Sequence, residues 1–115
     1  MSNEILDVDD FMERVQHDKE LFFELLDIFA SDFKVKRKAL EEAIRNKDPE
    51  TVEHVSHFLK GSCGNISVNS LRSIFHDLEI NGNERNLDGI EGRLEEIDKK
   101  FEELVIFIKE LRAKL

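Results

Sequence analysis

Tryptophan and tyrosine are absent from this 115-residue chain, which has a single proline and a single cysteine. One thiol, Cys63, can form neither an internal disulfide nor a cysteine-based zinc site. Long apolar runs are missing as well. The best candidate, Leu104-Val105-Ile106-Phe107-Ile108, is bracketed by charges and far too short to cross a bilayer. A basic, apolar leader is also missing, since Met1 is soon followed by Glu4, Asp7, Asp9 and Asp10. The expected location is therefore cytoplasmic. Basic residues are in deficit: 17 lysines and arginines face 26 acidic residues, a formal net charge of -9. Such a field repels nucleic acid and anionic membrane, so neither is an expected partner.

What remains is 37% charged and 40% hydrophobic, the profile of a helix-rich globular protein. The length suits one compact domain spanning 1–115. Asp7 and Asp9 can cap a short first helix through about Gln16, with Phe11, Met12 and Val15 as its apolar contacts. Asp18 is the candidate cap of a long second helix to about Asn46. Its stripe of Phe22, Leu25, Leu26, Phe29, Phe33, Leu40 and Ile44 has the spacing of one buried face. Asp48 and Pro49 open a third helix to about Ile66, with aspartate at the cap and proline at the first helical position. Asn69 or Ser67 opens a fourth, with Leu71, Ile74, Phe75 and Leu78 inward. Asn81-Gly82-Asn83 is the clearest break in the second half. The last helix is expected from Leu87 or Asp88 almost to Leu115, on a seam of Leu94, Ile97, Phe101, Leu104, Val105, Ile108 and Leu111. Gly89 and Gly92 weaken its first turns. No segment alternates like a half-buried strand, and no internal repeat is present. Short loops between long amphipathic helices make neighbours antiparallel. The expected fold is all-α: an up-down antiparallel four-helix bundle with a short additional N-terminal helix.

The third helix carries the most informative stretch, Ser56-His57-Phe58-Leu59-Lys60-Gly61-Ser62-Cys63-Gly64-Asn65-Ile66. At 100° per residue, Val52, Val55, Leu59, Cys63 and Ile66 share one side, and His57, Lys60, Gly61 and Gly64 the other. The histidine thus stands on a polar, glycine-thinned strip with its back to the core. Each glycine inside a helix costs about 1 kcal/mol relative to alanine, so bare backbone here should have a use. Access is the simplest use: a bulky partner can approach the imidazole closely. A neutral imidazole is a good nucleophile near pH 7, since its unperturbed pKa is about 6.5. It can take a phosphoryl group from an activated donor, a transfer governed by alignment and by neutralising charge on the equatorial oxygens. Lys60, one turn on, supplies a cation, while Gly61 and Gly64 leave a flat floor.

His57-Phe58-Leu59-Lys60-Gly61-Ser62 resembles the signature of histidine-containing phosphotransfer (HPt) domains: His, any residue, an aliphatic, Lys or Arg, Gly, then small residues. Helix order, the Leu78-Glu79 pair followed by Gly82, and the long final helix extend the resemblance over nearly the whole chain. It implies a four-helix bundle relaying phosphoryl groups between receiver-domain aspartates, from hybrid histidine kinase to response regulator. By that resemblance His57 carries the phosphoryl group on Nε2, Lys60 assists, and Gly61 provides clearance. Glu79 stands where the family often has Gln or Glu bonded to the histidine ring. His76 and Glu79 also match offsets in the phosphotransfer domain of chemotaxis kinases, making His76 a candidate supporting residue. The sequence departs from the family twice. Ser67 stands where a glycine commonly ends the motif region, and Cys63 replaces a small Ser or Ala.

Plainer readings stand beside these. His54 reads as a solvated histidine one turn before His57, and His17 as a helix-boundary residue. His76 and Glu79 fit a solvated helix face as well as a supporting role. A metal site from His54, His57 and Glu53 lacks the helical i, i+4 histidine pair and a convincing further ligand, so no metal is expected. Cys63 reads as a small buried hydrophobe, the phenylalanines as core, and Lys34 to Lys38 as a solvated run able to meet an acidic receiver surface. The functional expectation is a monomeric phosphoryl carrier, not an enzyme with its own ATP site, for no nucleotide-binding loop is present. No cofactor is expected, and any magnesium should belong to the receiver. Two alternatives remain: a kinase-attached phosphoacceptor of the chemotaxis type, disfavoured by a chain that reads as complete from Met1, and a non-catalytic adaptor for receivers. Docking is expected around His57, with Met12 and Phe58 as apolar contacts.

Overall fold

Aspartates open the first three helices by satisfying amides that have no partner within the helix. Asp7 accepts from the Asp10 N–H, Asp18 from Leu21, and Asp48 from Thr51. These caps start α1 (Val8–Arg14), α2 (Lys19–Arg45) and α3 (Pro49–Asn65). Two further helices, α4 (Asn69–Asn83) and α5 (Glu91–Lys114), complete the described elements. The structure is a computed structural model describing residues 5–115. Met1 and Glu4, on which the leader reading partly rests, lie outside the described residues.

Two expectations are corrected, whereas α4 does open at Asn69, after Val68, which offers no side-chain hydrogen bond. Ser67 is instead buried at φ 61°, with its hydroxyl donating to Asp10 at 2.5 Å and its carbonyl accepting the Asp7 N–H at 3.0 Å. That pair of bonds fastens α1 to the α3–α4 turn, and the Ser67 hydroxyl is the main reason the Asp10 carboxyl lies below its ordinary value. Asn81-Gly82-Asn83 is no break, because α4 runs through Asn83. Gly82 is there for contact: a Cβ on it would lie 2.6 Å from the Glu53 nitrogen and 2.7 Å from the Pro49 carbonyl oxygen. α5 starts at Glu91, later than Leu87 or Asp88, because Gly89 at φ 72° turns the chain just before it.

Four helix ends share one device. After α1, α2, α3 and α4 the chain passes through a left-handed residue, and the next amide reaches back to a carbonyl in the last turn. The pairs are His17 to Met12, Asp48 to Ala43, Val68 to Cys63 and Asn86 to Asn81, at 2.8 to 2.9 Å. The left-handed residues are Gln16, followed by His17 in the same region, Lys47, Ser67 and Arg85, none of them glycine.

Side-chain pairs fix the directions of the helices. Along α3 and α4, Glu53 meets Asn83, His57 meets Glu79, and Gly64 lies against Arg72. Numbers rising on one helix and falling on the other mean antiparallel. Along α2 and α5, Asp27 meets Arg112 and Arg37 meets Asp98, again antiparallel. The architecture is the expected up-down four-helix bundle with a short N-terminal helix. Phe33 is its hub, stacked on Phe101 at 4.0 Å and edge-on to Phe75 at 6.1 Å, joining α2, α5 and α4. The inward stripes of α2 and α4 are buried as spaced, while Leu25, Leu94 and Phe101 pack at the margin of the core. Among the described residues, no helix is long and apolar enough to cross a membrane.

Candidate functional site

Val52, Leu59 and Cys63 anchor α3 in the core, and this rotation turns His57 outward. Its side chain is 68% exposed, at the middle of the groove between α3 and α4. Nδ1 lies 2.6 Å from Glu79 Oε2 on α4, and the other oxygen of the same carboxylate holds the Lys60 ammonium at 2.5 Å. The Lys60 hydrogen bond above all, with a further one from His57, keeps the Glu79 carboxyl below its ordinary value. An ionised carboxylate can only accept, so the ring donates from Nδ1 and its free lone pair sits on Nε2. One carboxylate thereby fixes both the tautomer of His57 and the resting place of Lys60. Their register depends on how α4 is seated, and the backbone contact at Gly82 sets that seat near the groove's far end.

The two glycines of the strip differ. A Cβ on Gly61 would meet nothing within 4 Å, so the backbone one turn from His57 is open. Gly64 is half-buried, and a Cβ there would lie 3.2 Å from Arg72 Nε. The floor expected at Gly64 is therefore covered from within by the Arg72 side chain. His76 is exposed and, among the described residues, has no hydrogen bond to His57; it lines a shallow groove with Glu53, Glu79, Ile80, Asn83 and Glu84. His54 is exposed beside the strip. Phe58 is 43% exposed, with the Lys36 ammonium 4.6 Å above its ring, and Met12 is half-buried on α1. Burial pushes the Cys63 thiol up to about 12, leaving it an inert part of the core. Among the described residues no group of three or more metal-ligating side chains comes together. Sequence reasoning missed Arg72 and did not single out Lys36, since each finds its seat on a different helix.

Helix order and an exposed, carboxylate-anchored histidine on the third helix together define a phosphotransfer-type bundle. The Hpt domain family matches residues 24–113, and the chain belongs to that family. It is a histidine phosphotransfer protein of phosphorelays, a carrier from a family that interacts with receiver domains. The crystal structure of histidine-containing phosphotransfer protein B from Pseudomonas aeruginosa PAO1 superposes with a TM-score of 0.85 at 24% identity, covering 96% of each chain. That likeness establishes the fold. A comparison with curated proteins finds no match.

Proposed function

We propose that His57 is the phosphoacceptor and that the chain, acting as one domain, relays the group between receiver aspartates, from a hybrid kinase to a response regulator. The observation carrying this reading is the bond from Nδ1 to Glu79, which leaves Nε2 as the nucleophile above open backbone at Gly61. The Nε2 lone pair attacks the phosphorus of an aspartyl phosphate. An N–P bond forms as the P–O bond to aspartate breaks, and the donor carboxylate leaves. Nδ1 keeps its proton, so the phosphorylated ring is cationic and faces the Glu79 carboxylate that stabilises it. Lys60 turns from Glu79 onto the equatorial oxygens. Magnesium belongs to the receiver, ATP acts only through a separate kinase, and the carrier works as a cytoplasmic monomer.

Incubation with a receiver phosphorylated on aspartate should move label onto the protein as an acid-labile, alkali-stable adduct. His57→Gln should abolish that label while retaining helical circular dichroism. Persistence of label in the variant overturns the assignment. A chemotaxis-type domain would take label from an ATP-loaded kinase and not from a phospho-receiver. An adaptor would bind receivers equally well with His57→Ala and never carry label.

A further inference from the structure

Arginines in this acidic protein are mostly spoken for. Arg14, Arg37, Arg45, Arg93 and Arg112 each meet a carboxylate. Arg72 and Arg85 do not, among the described residues, although a chain with 26 acidic groups offers many partners; Arg85 lies beside Lys47 and Pro49, whereas Arg72 lies against the strip that carries His57. Its side chain instead packs against α3 at Gly64, where a Cβ would lie 3.2 Å from Nε and 3.3 Å from Cδ. Lys36 is placed comparably on the opposite flank. It too lacks a carboxylate among the described residues, and its ammonium rests on the ring of Phe58, the residue after His57. The remaining cation of the site, Lys60, is neutralised by Glu79 at 2.5 Å. The charge free to act on a visitor thus comes from α4 on one side of the histidine and from α2 on the other.

We propose that Arg72 and Lys36 form a cationic bracket around His57 that docks the carboxylate-lined rim of a receiver's phosphoryl site. The proposal rests on His57 being the phosphoacceptor. A partner that transfers phosphoryl from an aspartate while holding a divalent cation needs several carboxylates around that aspartate, so its rim is acidic. Gly64 lies seven residues from His57, about 10 Å along the helix. A transient protein interface covers about 600 Å² on each partner, a disc of about 14 Å radius, so a receiver centred on His57 reaches both cations. A guanidinium offers the rim a planar fork for carboxylate, and the Lys36 ammonium a point charge. Against the repulsion of a chain carrying -9, two unpaired cations within one interface radius of the reacting ring set where an acidic partner lands.

The test compares two donors on the wild type and on the Lys36→Glu/Arg72→Glu double variant. Phosphoramidate needs no docking, whereas a receiver charged with acetyl phosphate in magnesium does. The double variant should take label from phosphoramidate at the wild-type rate. From the phospho-receiver its transfer at low salt should slow by about 10-fold or more, with a flattened dependence on ionic strength. Arg72→Lys/Lys36→Arg should restore most of the rate. Unchanged receiver transfer and salt dependence overturn the bracket while leaving the phosphoacceptor intact. Equal slowing with both donors also overturns it, because the charges would then act on the ring and not on the partner. Failure of the wild type to take label from either donor overturns the phosphoacceptor reading, and the bracket with it.

Discussion

Gly61, Gly64 and Gly82 sit within α3 and α4 at ordinary helical angles, whereas the left-handed residues that end α1 to α4 are Gln16 and His17, Lys47, Ser67 and Arg85. Local preference would place them the other way round: glycine costs stability within a helix and is favoured just past its end. The difference between the groove and the helix junctions shows where a missing side chain matters more. In the groove it permits three separate things: backbone contact at Gly82, a seat for Arg72 at Gly64, and open approach at Gly61. At the junctions, the reaching-back hydrogen bonds and, for Ser67, a bond to Asp10 hold a strained residue in place.

The strongest way to break this comparison is Gly82→Ala. A Cβ 2.6 Å from one backbone nitrogen and 2.7 Å from a carbonyl oxygen cannot be relieved by turning a side chain. α3 and α4 must separate, and overpacking of this kind costs about 3 kcal/mol. Urea denaturation should show that loss. Glu79 would move with α4, so receiver transfer should fall in the protein that still folds. A variant as stable as the wild type would mean that Gly82 does not set the groove.

How far these features could be read from the sequence follows from how local their causes are. The outward direction of His57, Lys60 and Gly61 needs only the period of one helix and its apolar stripe, both present in residues 52 to 66. The caps at Asp18 and Asp48 are equally local. Glu79 entered only through family resemblance, because its contact with His57 depends on the register of α3 against α4, which no single-helix periodicity encodes. Asn81-Gly82-Asn83 misled for the reason the comparison exposes: a glycine between asparagines reads as a stop, yet the left-handed stop falls at Arg85. The same inversion hid the role of Ser67, whose left-handed backbone fits the position where family members commonly carry glycine. Gly64 read as clearance because its occupant, Arg72, comes from the next helix.

A smaller effect sharpens the comparison at the junctions. Lys47→Gly should stabilise the protein by about 1 kcal/mol, since relief of the left-handed cost exceeds the added freedom of the unfolded chain. Ser67→Gly gains the same relief but loses the hydroxyl bond to Asp10, itself about 1 kcal/mol, and should leave stability nearly unchanged. The pair is read by thermal or urea midpoints. If Ser67→Gly stabilises as much as Lys47→Gly, the Asp10 bond does not help hold α1 to the turn.

The smallest stability change separates clearance from packing within the groove. Gly61→Ala places a methyl where nothing lies within 4 Å, so helix propensity alone acts and stability should rise by about 0.8 kcal/mol. Gly64→Ala gains the same propensity but presses on Arg72 Nε at 3.2 Å, so most of the gain should vanish as that side chain shifts. Gly61→Gln retains the fold with stability close to the wild type, since an exposed helical position accepts glutamine. Its cost appears only when a receiver closes over His57. Transfer from a phospho-receiver should fall by about 10-fold or more, about 1.4 kcal/mol in the barrier, while labelling by phosphoramidate stays within a factor of about two. A glycine retained for local flexibility would slow both donors alike or neither. Loss confined to the protein donor means that a more stable helix was forgone at position 61 to leave room for another molecule.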